Sequence, residues 1–237
     1  MENELCFKVP MIKSIGRDYL VMEEIEGRSL NEFVDNDPEF VLEISKRIAD
    51  DYQKVLRSLA QKVKVGDLLN NGIRWTMGSI LTWGGPIVEA GLLKYLDIKK
   101  VADRMEEIID KKGKDFLGWA HGNIIGDHII VNENVFHLLD LAIKPRVGRG
   151  YYDWLRALDF AFLQTEDVEN FARKIPQWLE KYLPTENRQE VVLVFIERLL
   201  GILGWDILYH KVKYVKGDLK IKKREILKLI KTLIDEM

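Results

Sequence analysis

The sequence predicts an α+β fold in which helices dominate, and three observations carry that reading. Two short β-type runs open the chain, at Cys6–Ile15 and Asp18–Glu24. A second cluster of short apolar and β-branched runs lies between Phe116 and Leu139, and helical periodicity fills most of the remainder. There is no βαβ alternation and no G-x-G-x-x-G, which argues against a doubly wound dinucleotide-binding sheet.

The elements follow in order. Ile15-Gly16-Arg17-Asp18 is a turn signal between the first two runs, and Gly27 ends the second. Ser29 is placed to cap a short helix over Leu30–Val34. Asp37-Pro38 combines an N-cap acceptor with a residue that has no N–H to satisfy. Phe40, Val41, Ile44, Ile48, Tyr52, Val55, Leu56 and Leu59 then recur at helical spacing to about Lys62. Gly66–Pro86 is rich in glycine and reads as less regular, either short helices or an insert; helices follow at about Ile87–Tyr95 and Ile98–Lys112. Within the second β cluster, Asn132-Glu133-Asn134 separates His128–Val131 from Val135–Leu139 as a hairpin turn. After Gly148 and Gly150 four helices are expected, at Tyr151–Leu163, Val168–Tyr182, Glu186–Tyr209 and Leu219–Ile234. Gly217 or Asp218 starts the last.

Bulk properties narrow the function classes. The chain has 237 residues, 47% hydrophobic and 31% charged, enough for one large domain with a sizeable core. A net charge of -2 gives no basis for a nucleic-acid partner, and the basic run Lys220–Lys231 is broken by Ile and Leu as the wet face of a helix is. The single cysteine, Cys6, fits a small hydrophobe in a reducing cytoplasm. The longest apolar candidate, Val191–Tyr209, contains Glu197, Arg198 and Asp206, so no membrane span is expected and the location expected is cytoplasmic.

The second β cluster carries the chemistry. It reads Trp119-Ala120-His121-Gly122-Asn123-Ile124-Ile125-Gly126-Asp127-His128, then Phe136-His137-Leu138-Leu139-Asp140, with Gly150-Tyr151-Tyr152-Asp153 later. This resembles the H-G-D-x-x-x-x-N loop, hairpin and strand-end Asp of the aminoglycoside phosphotransferase and choline kinase branch of the protein-kinase-like superfamily. Upstream, Tyr19-Leu20-Val21-Met22-Glu23-Glu24-Ile25-Glu26-Gly27-Arg28-Ser29-Leu30 resembles the end of the small lobe and the hinge of that family. The resemblance spans about Val9–Trp154. It implies a protein-kinase-like fold: a remnant of the N-lobe at 1–23, a hinge at 24–30 and a mainly helical C-lobe at 31–237.

What the resemblance implies for chemistry is phosphoryl transfer from ATP with Mg²⁺ to a hydroxyl of a small-molecule or protein acceptor. Asn123 and Asp127 fall in the catalytic loop, His128 and Asp140 at the metal positions, and Glu23, Glu24 and Ile25 where a hinge backbone meets adenine. The chain also departs from the family pattern. Asn123 stands where the catalytic Asp belongs, and an amide cannot take a proton as a carboxylate does. His128 replaces an Asn, and Mg²⁺ prefers oxygen donors. Residues 1–8 leave no room for the Gly-rich loop, the strand lysine and the helix that supplies its glutamate. These departures point to an alternative function, a catalytically inactive pseudokinase-type module that binds a ligand or a protein.

The remaining residues have plainer readings. His121 is expected to brace the loop, Asp153 to cap a helix or brace that same loop, and His137 to be half-exposed scaffold. Trp75, Trp83 and Trp119 are expected to pack in the interior rather than line a cleft. A zinc-type centre of His121, Asp127, His128, His137 and Asp140 is the weaker rival, because the spacing matches no helix-based zinc motif. A truncated N-lobe leaves an open strand edge, which predicts cover from a helix, a protein partner or self-association.

Overall fold

Asp37 accepts a hydrogen bond from the Phe40 N–H (3.0 Å), so the Asp-Pro start works as its chemistry dictates and helix α1 runs over Pro38–Ala60. The computed structural model describes residues 5–60, 66–112, 117–140, 144–147, 151–183, 188–204 and 215–237. Around α1 stand α2 (Gly66–Glu89), α3 (Tyr95–Lys112), α4 (Tyr151–Gln164), α5 (Val168–Tyr182), α6 (Arg188–Gly201) and α7 (Leu219–Asp235). The strands are β1 (Phe7–Lys8), β2 (Ile12–Ile15), β3 (Leu20–Met22), β4 (Arg28–Ser29), β5 (Leu117–Ala120), β6 (Ile129–Asn132), β7 (Val135–Leu138) and β8 (Lys144–Val147). The fold is α+β and mostly helical, with a small mixed sheet, as the periodicity predicts.

Side chains with one polar atom fix how the helices meet. Trp154, fully buried on α4, donates its indole N–H to the Leu42 carbonyl of α1 (3.1 Å). Ser79 on α2 donates to the Glu197 carboxylate of α6 (2.6 Å). Asp218 caps α7, accepting from the Lys220 and Ile221 N–H groups, and Lys222 one turn on is wholly buried. Its ammonium donates to the Phe162 and Thr165 carbonyls at the end of α4 (both 2.7 Å). Burial pushes that ammonium down to about 8. Among the described residues no helix is long and apolar enough to cross a membrane.

Three expectations are corrected. The Cys6–Ile15 run is two strands: β1 pairs in parallel with β7 (Phe7 beside Phe136, Lys8 beside His137), while β2 pairs with β3 in a separate hairpin. Pro10 lies between them and cannot donate to a ladder. The four-stranded sheet therefore has the order β1-β7-β6-β4. The Gly66–Pro86 stretch belongs to one long helix, α2, with Pro86 inside its last turn. One of its glycines serves packing: a Cβ at Gly84 would stand 2.6 Å from Ile98 Cγ2 of α3, whereas Gly78 and Gly85 face open space. Finally, β8 has no counterpart in the sequence reading; it pairs antiparallel with β5, Pro145 opposite Trp119. The Glu186–Tyr209 helix is found as α6 over Arg188–Gly201, and residues 205–214 lie outside the described residues.

Cys6 is tied to α1 rather than poised for reaction. Its N–H donates to Asp51 Oδ2 (2.7 Å). Burial, then a hydrogen bond to the same carboxylate, pushes the thiol up to about 12, which leaves it protonated and inert near neutral pH.

Candidate functional site

The hairpin β6–β7 is the platform for the candidate site. Val131 pairs with Phe136 and Ile130 with His137, and the turn is closed by Glu133-Asn134 with Glu133 at a left-handed φ of 51°. Val131, Phe136 and Leu138 face the core, and the hairpin delivers Asp140 just past its end. The loop 121–128 enters it from β5. Gly122 has a φ of 78°, a conformation that favours glycine. Gly126 sits against Asn31, where a Cβ would meet the Asn31 backbone N at 2.9 Å, and its carbonyl accepts from the Ser29 hydroxyl (3.0 Å).

Two buried side chains hold that loop in place. Asp153, at the start of α4 and fully buried, accepts from the His121 N–H (2.9 Å) and the Gly122 N–H (2.7 Å). His121, equally buried, packs edge-on against Tyr52 and spans from the loop to the hairpin end. Its Nε2 meets the Asp140 carbonyl, which can only accept, and its Nδ1 receives the Asn123 N–H (3.2 Å). Both partners demand the same state, a neutral ring with the proton on Nε2. Bracing, the role expected of His121 and Asp153, is what these contacts do.

The outcome is a cluster of three of the expected site residues. The Asn123 amide nitrogen is 3.2 Å from His128 Nδ1, and His128 Nδ1 is 3.9 Å from Asp140 Oδ2. His128 Nδ1 is also 3.2 Å from the Asn123 carbonyl. It can donate to that oxygen or accept from the amide, so the ring tautomer decides which contact forms. Asp140 is half exposed and His128 partly so, which leaves both reachable from solvent. Asp127 stands apart: it is exposed on the Gly126–His128 turn, and among the described residues no hydrogen bond or ion pair ties it to the other three.

His128 and Asp140 are the two side chains of this cluster near enough to each other to share a divalent ion, one through a nitrogen and one through an oxygen. The nitrogen donor suits Mn²⁺ better than Mg²⁺. Among the described residues no group of three or more His, Cys, Asp or Glu is gathered to hold a metal, so the five-residue zinc-type centre is not assembled.

The residues expected at a hinge are differently placed. The Glu23 N–H donates to the Met11 carbonyl (2.8 Å) and its carboxylate accepts from the Met11 N–H (3.2 Å), so Glu23 closes the β2–β3 hairpin. Glu24 is exposed and Ile25 half-buried in the stretch that follows. Gly27 passes over β6, where a Cβ would stand 2.5 Å from the Val131 carbonyl oxygen. Among the described residues, no hydrogen bond or ion pair joins Glu23, Glu24 or Ile25 to Asn123, His128 or Asp140.

Beside Asn123 lies a cavity of about 510 Å³ between α2, α4 and α6. Trp75 and Trp83 line it; Trp75 is 58% exposed, which corrects the expectation that it packs in the interior, while Trp83 and Trp119 are partly buried and pack against the core as expected. Opposite them stand two arginines that share one buried carboxylate. Arg156 donates to Asp159 Oδ1 and Arg198 to Asp159 Oδ2, both at 2.6 Å, and Arg198 also donates to the Tyr152 hydroxyl (2.9 Å). Asp159 and the neighbouring charges hold Arg198 in its charged form well above its ordinary range despite burial. This network escaped the sequence reading. The spacing Arg156-x-x-Asp159 is legible, but Arg198 comes from α6, and only packing brings it to Asp159.

Comparison with protein-family models, with curated proteins and with solved structures finds no match.

Proposed function

We propose that this chain has a protein-kinase-like fold of the aminoglycoside phosphotransferase and choline kinase type, and that its ancestral chemistry is phosphoryl transfer from ATP to a hydroxyl. The observation that supports this most is the adjacency of Asn123, His128 and Asp140 on a loop cross-braced by His121 and Asp153. Residues that the motif spaces five and seventeen positions from Asn123 meet at one point, beside a cavity large enough for a small molecule. In this reading Asn123 orients the acceptor hydroxyl from the cavity side, and His128 and Asp140 hold the divalent ion. The ion, when bound, neutralises charge on the phosphates. Glu24 and Ile25 are the hinge groups left for a nucleobase, since the Glu23 N–H is committed to Met11.

A second reading is favoured by one specific observation. Asn123 supplies no carboxylate to take the hydroxyl proton. That favours a pseudokinase-type module that binds its ligand without turning it over.

Thermal melting with millimolar ATP plus Mg²⁺ or Mn²⁺ tests the nucleotide site. The expected result is a rise in melting temperature, larger with Mn²⁺, that disappears in Asp140→Ala. Asn123→Asp is expected to introduce measurable ATP turnover if a carboxylate is the missing part. No shift with either ion at millimolar nucleotide would discard the nucleotide site and leave the ligand-binding module.

A further inference from the structure

The cavity beside Asn123 holds one guanidinium more than the buried carboxylate behind it needs. Arg198 already matches Asp159: its Nε and Nη2 each lie 2.6 Å from Asp159 Oδ2, and its Nη1 donates to the Tyr152 hydroxyl (2.9 Å). All three nitrogens of Arg198 are thereby engaged. Arg156 gives only Nη1 to the same carboxylate, at Oδ1 (2.6 Å). Its Nε and Nη2 form the side-on fork that matches a carboxylate, and they make no hydrogen bond among the described residues. The Arg156 side chain lines the cavity, is 20% exposed, and lies over the Phe160 ring with Cζ 5.7 Å from the centroid. Held at one end and along one face, this fork is pre-organised for a planar anion.

The charges around the cavity favour one sign of ligand. Arg156, Asp159 and Arg198 together carry one positive charge. Glu197 is the one carboxylate among the described residues that line the cavity; it is 4% exposed, and its Oε1 accepts from the Ser79 hydroxyl (2.6 Å). A cation entering the cavity meets guanidinium N–H groups before any open carboxylate, whereas an anion meets a donor fork. With Glu197 in the same wall, the surplus suits a single negative charge better than the double charge of a phosphate ester. Trp75, on the facing helix α2, offers apolar surface to the carbon chain of such a ligand.

We propose that the cavity takes a small hydroxylated carboxylate, and that Arg156 selects it by pairing its free fork with the carboxylate group. Arg156 lies just under one turn beyond Asp153 on α4, a rise of about 4.5 Å. Asp153 in turn holds Gly122, the neighbour of Asn123. The two ends of the ligand, its carboxylate at Arg156 and a hydroxyl at Asn123, are thus set about one helical turn apart, the span of a short hydroxy-acid chain. That this hydroxyl is the phosphoryl acceptor rests on the phosphotransferase reading of Asn123. Capture of the carboxylate does not, and it needs neither nucleotide nor metal.

Calorimetric titration of the full chain, without ATP or metal, tests it with probes of one size and different charge: gluconate, glucose, glucosamine and glucose 6-phosphate. Gluconate is expected to bind with a dissociation constant of about 1 mM or below, at least about tenfold more tightly than the others. Arg156→Gln is expected to weaken gluconate roughly 10–100-fold, and Arg156→Lys, which keeps the charge without the fork, about tenfold. Trp75→Ala, at an exposed residue whose loss leaves folding intact, is expected to weaken gluconate several-fold and serves should the arginine variants fail to fold. Tightest binding of glucosamine or of glucose 6-phosphate, no binding of gluconate, or gluconate binding indifferent to Arg156→Gln would each overturn the proposal. None of these results depends on whether the nucleotide site exists, so the two readings fail separately.

Discussion

The loop at residues 121–140 and the hairpin at residues 9–23 make an instructive contrast. Both are short β-rich segments. The loop is held by buried Asp153 from α4, by buried His121 across to Asp140, and by half-buried Ser29 and buried Asn31 against Gly126. The hairpin is held by its own backbone and by Glu23, and its apolar side chains face solvent. Fixed geometry thus belongs to the segment where Asn123, His128 and Asp140 converge. In the open segment, β2 and β3 pair only with each other among the described residues.

Breaking the braced half is expected to have the largest effect. Asp159→Ala leaves Arg156 and Arg198 without their shared counter-ion, and a cost of about 3–5 kcal/mol is expected in urea denaturation. The cavity wall beside Asn123 should loosen with it. Asp153→Ala removes the acceptor of two loop N–H groups in a fully buried place, with an expected loss of about 3 kcal/mol. The same variant should abolish any nucleotide-dependent rise in melting temperature, because His121 and Asn123 lose their setting.

A pH series sharpens the contrast further. The folded state holds Lys222 at about 8, below its ordinary value of 10.5, so between those values the unfolded chain binds the extra proton. Stability should therefore rise with pH through that window: the penalty for the buried charge is full below about pH 8 and fades towards pH 10.5. The contribution is on the order of 3 kcal/mol. Compared with Lys222→Met, the wild-type protein should gain stability across this range, and a flat difference between the two would remove the effect. The smallest change is expected at the free hairpin. Ile15→Ser, at a residue 73% exposed, should alter monomer stability by less than about 0.5 kcal/mol.

Much of the fold was legible because its signals are local. Asp37-Pro38, the period of Phe40 to Leu59, Asp218 ahead of α7 and the turn at Glu133 all act within a few residues, and each element begins or ends where they indicate. The exceptions are also physical. The glycines of α2 read as helix breakers until Ile98 of α3 is seen filling the space beside Gly84. Strand β8 contains a proline that local chemistry counts against, and only its partner β5 makes it a strand.

The candidate site divides in the same way. The sequence alone determined the residue types in the loop and the hairpin that delivers Asp140, because these depend on order and spacing. Tertiary structure decided the rest. It joined Asn123 to His128 and Asp140 while leaving Asp127 in solvent, set Arg198 of α6 on Asp159 of α4, and opened Trp75 and Trp83 onto a cavity. Contacts between elements far apart in the chain arise from how helices pack, and packing depends on the summed shape of many side chains rather than on any motif.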